Sequence, residues 1–285
     1  MTPAEAGATI AAALWLTAVV PVSLRLLRAL QMVRPNFRGD KVPAGAGIAV
    51  ILWSCPVLLA WPPAPRDGSP DAALMALSLC AFGALGFVDD RWGDRSATGL
   101  RGHFRRLLCE RRLTTGAAKA LGGVMAGVWV ARAGLGLPPG DALLCGAVVA
   151  LCANALNLLD LRPGRAGAAF LLLSTPLVAA TWSASGPPAL ALVWLPAMAL
   201  YAWDRRGLAM MGDTGSNALG AVLGLCYCAA VGRTWHVAAL LALLFLHVLA
   251  ERWSLSAMIE QSPLLRRLDR WTGTREPAPE SRPRV

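Results

Sequence analysis

Nine apolar stretches recur along this 285-residue chain, and they constrain its fold more than any other feature. Each is somewhat shorter than the ~20 residues with which a straight helix crosses a bilayer. This pattern predicts an all-α, polytopic transmembrane helical bundle of about nine spans, within a range of eight to ten. The stretches occupy residues 7–24, 44–61, 72–88, 117–131, 142–159, 166–182, 187–203, 215–231 and 234–250.

The composition supports the membrane class and excludes the main alternatives. Hydrophobic residues make up 56% of the chain and charged residues only 15%, with a mean hydropathy of +0.51. An ordinary soluble domain is about 25% charged, and one soluble core of this size cannot hide so much apolar surface. The seven cysteines lie mostly in apolar stretches, with no CxxC or Cys/His spacing of a zinc site. We therefore expect small buried thiols and no disulfide framework.

The basic residues predict an orientation in the membrane. With nine alternating spans, all of the 27 Lys and Arg residues except Arg66, Arg132 and Arg233 fall on one side. The positive-inside rule places that side in the cytoplasm, so we expect the N-terminus outside and the C-terminus inside. The net charge of +10 is then a topology signal, and no nucleic-acid partner is expected.

The domain organisation predicted from the sequence is simple. Residues 1–270 are predicted to form a single integral membrane domain, and residues 271–285 a disordered, basic cytoplasmic tail that ends in "REPAPESRPRV". The N-terminus has no basic region before its first apolar stretch, which predicts that no signal peptide is cleaved. The Arg-rich segment 91–116 is predicted to lie on anionic headgroups.

Acids and amides cluster at the predicted cytoplasmic ends of the spans. An ionisable or polar group is costly near a bilayer and usually has a functional task. These side chains all fall on one face of the membrane, although the orientation was derived from Lys and Arg alone. They occur in "GFVDD", in "NALNLLD", in "MGDTGS" and at the start of the fourth stretch, as Asp89, Asp90, Asn154, Asn157, Asp160, Asp213 and Lys119.

Each of these side chains also has a structural alternative at this stage. Asp89 and Asp90 fit a plain helix end at the lipid headgroups, although the helix dipole opposes acids there, an effect that a divalent cation or an arginine cluster would relieve. Asp213 fits the N-cap of the following helix. Asn154 and Asn157 share a helical face and fit interhelical hydrogen bonds.

Several carboxylates, amides and a lysine at a membrane face suit phosphate chemistry. Mg²⁺ prefers one or two protein carboxylates together with substrate phosphates. Its charge offsets the negative charge of a transferring phosphoryl group, and a lysine adds a further positive charge. The membrane location implies that one of the two substrates is a lipid.

The motifs "GFVDD", "NALNLLD" and "MGDTGSNALG", in this order, resemble those of the polyprenyl-phosphate N-acetylhexosamine-1-phosphate transferases. The resemblance covers residues 34–252. It implies transfer of a sugar-1-phosphate from a UDP-sugar, with an N-acetylhexosamine expected, to a polyprenyl phosphate, with release of UMP. It also implies Mg²⁺ as cofactor, with Mn²⁺ as the alternative, and a cytoplasmic active site in a bacterial cell membrane. A homodimer is left open.

The resemblance assigns roles residue by residue. Asp89, Asp90 and Asp213 match catalytic positions, and Asp213 with Asn157 matches the positions that hold or adjoin the metal. Arg162 and Arg165 lie where this chain departs from the family, and we expect them to replace a missing Asp by binding phosphate or a carboxylated sugar. The full set expected to contact substrate is Lys41, Lys119, Asn154, Asp160, Arg162, Arg165 and His247.

The sequence departs from the family at defined positions. The family pattern "DGxDGL" is replaced by "DLRPGRAG", in which Pro163 stands where the second Asp is expected. The His-rich cytoplasmic loop is also absent, and His247 lies near its place. Two other functions therefore stay open, an intramembrane prenyltransferase that uses Asp-rich motifs and a non-catalytic lipid-binding relative.

Overall fold

The computed structural model describes residues 3–60, 68–93, 115–182 and 188–273, and their architecture is all-α with one small hairpin. Nine helices coincide with the nine apolar stretches. They are α1 (Pro3–Ala29), α2 (Ile48–Ala60), α3 (Ala72–Trp92), α4 (Thr115–Gly134), α5 (Pro139–Leu159), α6 (Arg165–Thr181), α7 (Ala191–Asp204), α8 (Gly212–Ala230) and α9 (Arg233–Arg252).

Four helical segments in the described part of the chain are long and apolar enough to cross a membrane. They are Ala11–Ala29 within α1, Ala72–Trp92, Pro139–Leu159 and Arg233–Arg252. This is fewer than the nine predicted spans. One reason is length, because α2, α6 and α7 contain only 13, 17 and 14 residues. The coarse prediction of an all-α chain with membrane-spanning helices is therefore supported.

Helix α8 lies at the centre of the bundle, packed chiefly against α3 and α5 and also against α2 and α6. Most of its residues are buried. Glycine permits the closest approach, since a Cβ placed on Gly86 of α3 would lie 2.1 Å from the backbone oxygen of Asp213. The end of α3 and the start of α8 are thus in direct backbone contact.

A short antiparallel hairpin precedes α2 and reaches the start of α8. It consists of β1 (Val33–Pro35) and β2 (Lys41–Pro43), with Arg34 opposite Val42. Beyond β2, Ala44 forms a parallel bridge with Met210. The hairpin therefore brings the chain around Arg34 to the same end of the bundle as the first turn of α8.

The last described residues form two short helices, α10 (Leu255–Gln261) and α11 (Pro263–Thr272). The first two residues of the predicted tail, 271 and 272, belong to α11, and the Thr272 backbone oxygen accepts a hydrogen bond from the Tyr201 hydroxyl at 2.8 Å. Residues 274–285 and most of the Arg-rich segment, 94–114, lie outside the described residues.

Candidate functional site

The carboxylate of Asp90, in the last turn of α3, binds the first turn of α8. Its Oδ1 accepts a hydrogen bond from the backbone N–H of Asp213 at 3.0 Å. Its Oδ2 accepts from the Thr214 backbone N–H at 2.9 Å and from the Thr214 hydroxyl at 2.6 Å. The positive end of the α8 dipole thus offsets the unfavourable position of Asp90 at the end of α3.

Two further features fix this contact. Gly212, the first residue of α8, has a φ of +72°, and a Cβ there would lie 2.7 Å from Oδ2 of Asp90. Only glycine combines that backbone conformation with so close an approach. From the hairpin, Arg34 donates from Nη2 to the backbone oxygen of Asp90 at 2.7 Å. Arg34 was not singled out from the sequence, since only the hairpin brings it here.

Asp213 and Asn157 are in direct contact, which a site formed jointly by their two sequence motifs would require. Asn157 donates from Nδ2 to Oδ2 of Asp213 at 3.1 Å, joining the end of α5 to the start of α8. The Asn157 Oδ1 accepts a hydrogen bond from the Ser216 hydroxyl at 3.0 Å. Met211 occupies the N-cap of α8, so Asp213 does not have the capping role considered for it.

A further buried acid, Asp204, orders the loops at this end of the bundle. Its Oδ2 accepts from the backbone N–H of Gly164, the N-cap of α6, at 2.8 Å. Its Oδ1 accepts from the backbone N–H of Met211 at 3.2 Å. Asp204 was not selected from the sequence, although an acid that directly follows an apolar stretch is a usable signal.

Asp160 lies among the other acids of this region. It directly follows α5 and is half-buried. Burial, and then the negative charges of Asp204, Asp213 and Asp90, raise the pKa of Asp160 well above its ordinary value. We call the group Asp90, Asn157, Asp160, Asp204 and Asp213 the acidic cluster.

The acidic cluster has the donor chemistry of a site for a hard divalent cation. Its side chains offer carboxylate and amide oxygens, which Mg²⁺ prefers over nitrogen or sulfur. The Oδ1 of Asn157 has two lone pairs, so it can accept from Ser216 and still bind a cation. A cation would also offset the mutual repulsion that raises the pKa of Asp160. Asp213 and Asn157, which are in direct contact, therefore offer oxygen ligands that suit such an ion.

The two arginines expected to bind substrate have other partners. Arg165 is buried and donates from Nε and Nη2 to the carboxylate of Asp269 in α11, at 2.8 and 3.1 Å. Its Nη1 also donates to the Ser256 hydroxyl at 3.1 Å. Arg162 forms an ion pair with Glu260. Both side chains thus bind the C-terminal helices, which argues against the expected phosphate contact for Arg165.

The other residues expected at the site lie on several different elements and differ in exposure. Lys41 is exposed at the start of β2, and Asn154 is half-buried in α5. His247 is buried in α9, where its Nδ1 lies 2.7 Å from the backbone oxygen of Leu243. Asp89 is half-buried beside Asp90. Lys119 belongs to α4, but its side chain lies outside the described part of the structure.

No protein-family model matches this chain, and no curated protein matches it.

Proposed function

We propose that this chain is a magnesium-dependent membrane transferase. It moves a sugar-1-phosphate from a UDP-sugar, with N-acetylhexosamine as the expected sugar, to a polyprenyl phosphate and releases UMP. The observation that carries the proposal is the 3.1 Å contact between Asn157 and Asp213 inside a cluster of four aspartates. These two residues come from separate motifs of the sequence, and their meeting is what a shared phosphate site requires.

Asp213 and Asn157 would hold the Mg²⁺ ion, with Asp160 beside them. The bound ion would neutralise negative charge on the donor diphosphate. Ser216 orients the Asn157 amide, since its hydroxyl donates to Oδ1 while the opposite amide nitrogen faces Asp213. The protein groups are thus arranged before substrate arrives, which lowers the cost of organising them during the reaction.

Asp90 has a positioning role in this proposal. Its carboxylate accepts three hydrogen bonds from the first turn of α8, so it holds the segment that carries Asp213. A base is not required to activate the acceptor, because the second pKa of a phosphate monoester is about 6 and the group is mostly dianionic at pH 7. Asp89, the neighbouring acid, remains a candidate for contact with the lipid phosphate.

The proposal places the acidic cluster at the cytoplasmic face of a bacterial cell membrane. It keeps the bundle of about nine spans with the N-terminus outside, and four helical segments long enough to cross a membrane support the membrane location. The shorter helices α2, α6 and α7 would cross a locally thinned bilayer or pack within the bundle.

The deciding experiment measures product release by the purified protein in detergent. It is given Mg²⁺, undecaprenyl phosphate and each of several UDP-sugars, and nucleotide products are separated by chromatography. We expect UMP and a lipid-linked sugar diphosphate with at least one donor, and loss of both products in Asp213→Asn. A prenyltransferase would instead release pyrophosphate from a prenyl diphosphate.

The matched control is Asp141→Asn, which removes an acid at the opposite end of α5. Asp141 pairs with the exposed Arg233 and is outside the acidic cluster, so its loss should leave UMP release unchanged. If the wild-type protein binds the lipid but forms no UMP with any donor, the non-catalytic relative becomes the better description.

A further inference from the structure

A second polar cluster lies at the other end of the bundle from the acidic cluster. Cys145 of α5, Cys228 of α8 and His236 of α9 are all buried, and their ligand atoms lie within 4.8 Å of one another. Along α5, Cys145 is twelve residues before Asn157, or about 18 Å at 1.5 Å per residue. The two clusters are therefore separate sites.

The histidine is oriented as a metal-binding histidine would be. Its Nε2 lies 3.0 Å from the backbone oxygen of Cys228, and a carbonyl oxygen only accepts, so Nε2 carries the hydrogen. In the neutral ring this leaves the lone pair on Nδ1, which lies 3.4 Å from the Sγ of Cys145. A backbone carbonyl that fixes the second ring nitrogen is the usual outer contact of a histidine ligand.

The spacing between the sulfur of Cys145 and the ring nitrogen of His236 suits a tetrahedral site. With Zn–S near 2.3 Å and Zn–N near 2.0 Å, neighbouring sulfur and nitrogen ligands are about 3.5 Å apart. The observed separation of 3.4 Å between Cys145 Sγ and His236 Nδ1 agrees with that value. Without a cation, the thiol hydrogen of Cys145 can occupy the same space as a hydrogen bond to Nδ1.

The surroundings leave one coordination position accessible. Cys228 and His236 line a cavity of about 470 Å³, which also contacts Asp141 and Arg233. Those two residues form an ion pair at 2.7 Å across the ends of α5 and α9. The cavity has room for water as a fourth ligand, as in zinc sites with three protein ligands.

We propose that Cys145, Cys228 and His236 bind a zinc ion that ties α5, α8 and α9 together at the rim of this cavity. Binding releases one proton from each thiol, so that the dication, two thiolates and a neutral imidazole carry no net charge. Charge neutrality favours Zn²⁺ over Cu⁺ at this buried position, because the copper complex would keep one negative charge. The proposal is independent of the transferase function.

The test uses the full chain, purified in detergent, reduced and freed of metal by a chelator. Co²⁺ serves as the spectroscopic probe, and Zn²⁺ is then titrated against it by competition. We expect one thiolate-bound Co²⁺ per chain, identified by its charge-transfer and tetrahedral d–d absorption, whatever further Co²⁺ the acidic cluster binds. Removal of a ligand in Cys145→Ser, Cys228→Ser or His236→Ala should weaken binding by more than about 100-fold, since even outer contacts are worth 10–100-fold.

The matched control is Cys226→Ser, which changes a buried thiol two residues from Cys228 on the same helix. It should keep the cobalt spectrum, and so should Asp213→Asn in the acidic cluster. Equal loss in Cys226→Ser and Cys228→Ser would overturn the proposal, as would a wild-type spectrum without thiolate bands.

A second measurement keeps the test decisive if a ligand variant fails to fold. In the wild-type chain, Zn²⁺ should protect Cys145 and Cys228 from alkylation, as measured by mass spectrometry of the digested protein. Unchanged alkylation of both thiols with excess Zn²⁺ would overturn the proposal.

Discussion

Asp90 and Thr214 are joined by two hydrogen bonds to one oxygen, because both the backbone N–H and the hydroxyl of Thr214 donate to Oδ2 of Asp90. This contact connects the last turn of α3 to the first turn of α8. An acid at the C-terminal end of a helix is opposed by the dipole of that helix. Here the N-terminus of the neighbouring helix α8 supplies the compensating partial positive charge. The start of α8, and with it Asp213, is held by this carboxylate.

The first prediction concerns the stability that this contact provides. Asp90→Asn replaces one accepting oxygen by an NH₂ group that faces backbone donors, and we expect a loss of about 1–3 kcal/mol in the free energy of unfolding. Thr214→Val removes only the hydroxyl and should cost about 1 kcal/mol. Thermal unfolding in detergent, followed by circular dichroism, measures both.

Asp71→Asn is the matched control for the Asp90 variant. Asp71 is the N-cap of α3, where its side chain accepts from the backbone N–H of Leu74. Asparagine caps a helix about as well as aspartate, so this variant should unfold at the wild-type temperature. An Asp90→Asn protein as stable as Asp71→Asn would contradict the positioning role of Asp90.

The second prediction compares the two arginines of the "DLRPGRAG" segment. Arg165 and Asp269 form a buried ion pair, and breaking a buried ion pair, as Arg165→Ala does, costs about 3–5 kcal/mol. Arg162 and Glu260 are half-exposed, so Arg162→Ala should cost no more than about 1 kcal/mol. The measurement is the unfolding temperature of each variant, which should fall further in Arg165→Ala than in Arg162→Ala.

A functional role for Arg165 would produce a different pattern. If its guanidinium served substrate phosphate, Arg165→Ala would keep the wild-type unfolding temperature and lose UMP release. Restoring a long side chain in Arg165→Lys should recover part of the stability in our interpretation, because a charge near Asp269 returns without the two-pronged hydrogen bond.

Whether a feature of this structure can be predicted from the sequence depends on how far apart along the chain the interacting residues are. The helices could be predicted because a run of apolar residues is a local property of the sequence. Each of the nine predicted apolar stretches coincides with a helix. Four of the five residues of the acidic cluster could be selected because polar residues at the ends of apolar stretches are conspicuous, whereas Asp204 was missed although it stands in the same kind of position. The number of membrane spans was harder to predict from the sequence, because a helix such as α2, with 13 residues, is short for a full crossing of the bilayer.

The specific contacts could not be predicted because they join distant segments. Asp90 and Thr214 are 124 residues apart, and Cys145 and His236 are 91 apart. Only the packing of α8 against α3 and α5, and of α9 against α5, brings such pairs together. The same holds for Arg165, whose partner Asp269 lies in a helix 104 residues later.

The third prediction concerns pH. Because burial and three neighbouring acids raise the folded-state pKa of Asp160, the folded protein holds this proton to a higher pH than the unfolded chain does. The ionisation of Asp160 therefore has no effect on stability below its ordinary pKa of about 3.9, destabilises the fold progressively as the pH rises from that value to the raised one, and costs a constant amount above it. Asp160→Asn should be the more stable protein at neutral pH.

The measurement is the difference in unfolding temperature between Asp160→Asn and wild type from pH 4.5 to 8, in chelator. We expect the difference to grow with pH. Added Mg²⁺ should shrink it, because a cation in the acidic cluster stabilises the ionised form of Asp160. A difference that is constant with pH would contradict the raised pKa.

The last prediction separates a metal-binding residue from the residue that orients it, and it rests on the proposed transferase function. Asn157→Ala removes an oxygen proposed to bind Mg²⁺, and we expect UMP release to fall by more than about 100-fold at any Mg²⁺ concentration. Ser216→Ala removes only the hydroxyl that donates to Asn157. It should raise the Mg²⁺ concentration for half-maximal rate by about 10-fold or more, while saturating Mg²⁺ restores most of the rate.

Ser174→Ala is the control for the serine variant, because the buried Ser174 hydroxyl donates to the backbone oxygen of Phe170 within α6 and contacts no residue of the acidic cluster. It should leave the Mg²⁺ dependence unchanged. Rates that respond equally to Ser216→Ala and Ser174→Ala would show that the loss is one of general stability. A Ser216→Ala enzyme with reduced rate and unaltered Mg²⁺ dependence would instead place Asn157 on the substrate rather than on the metal.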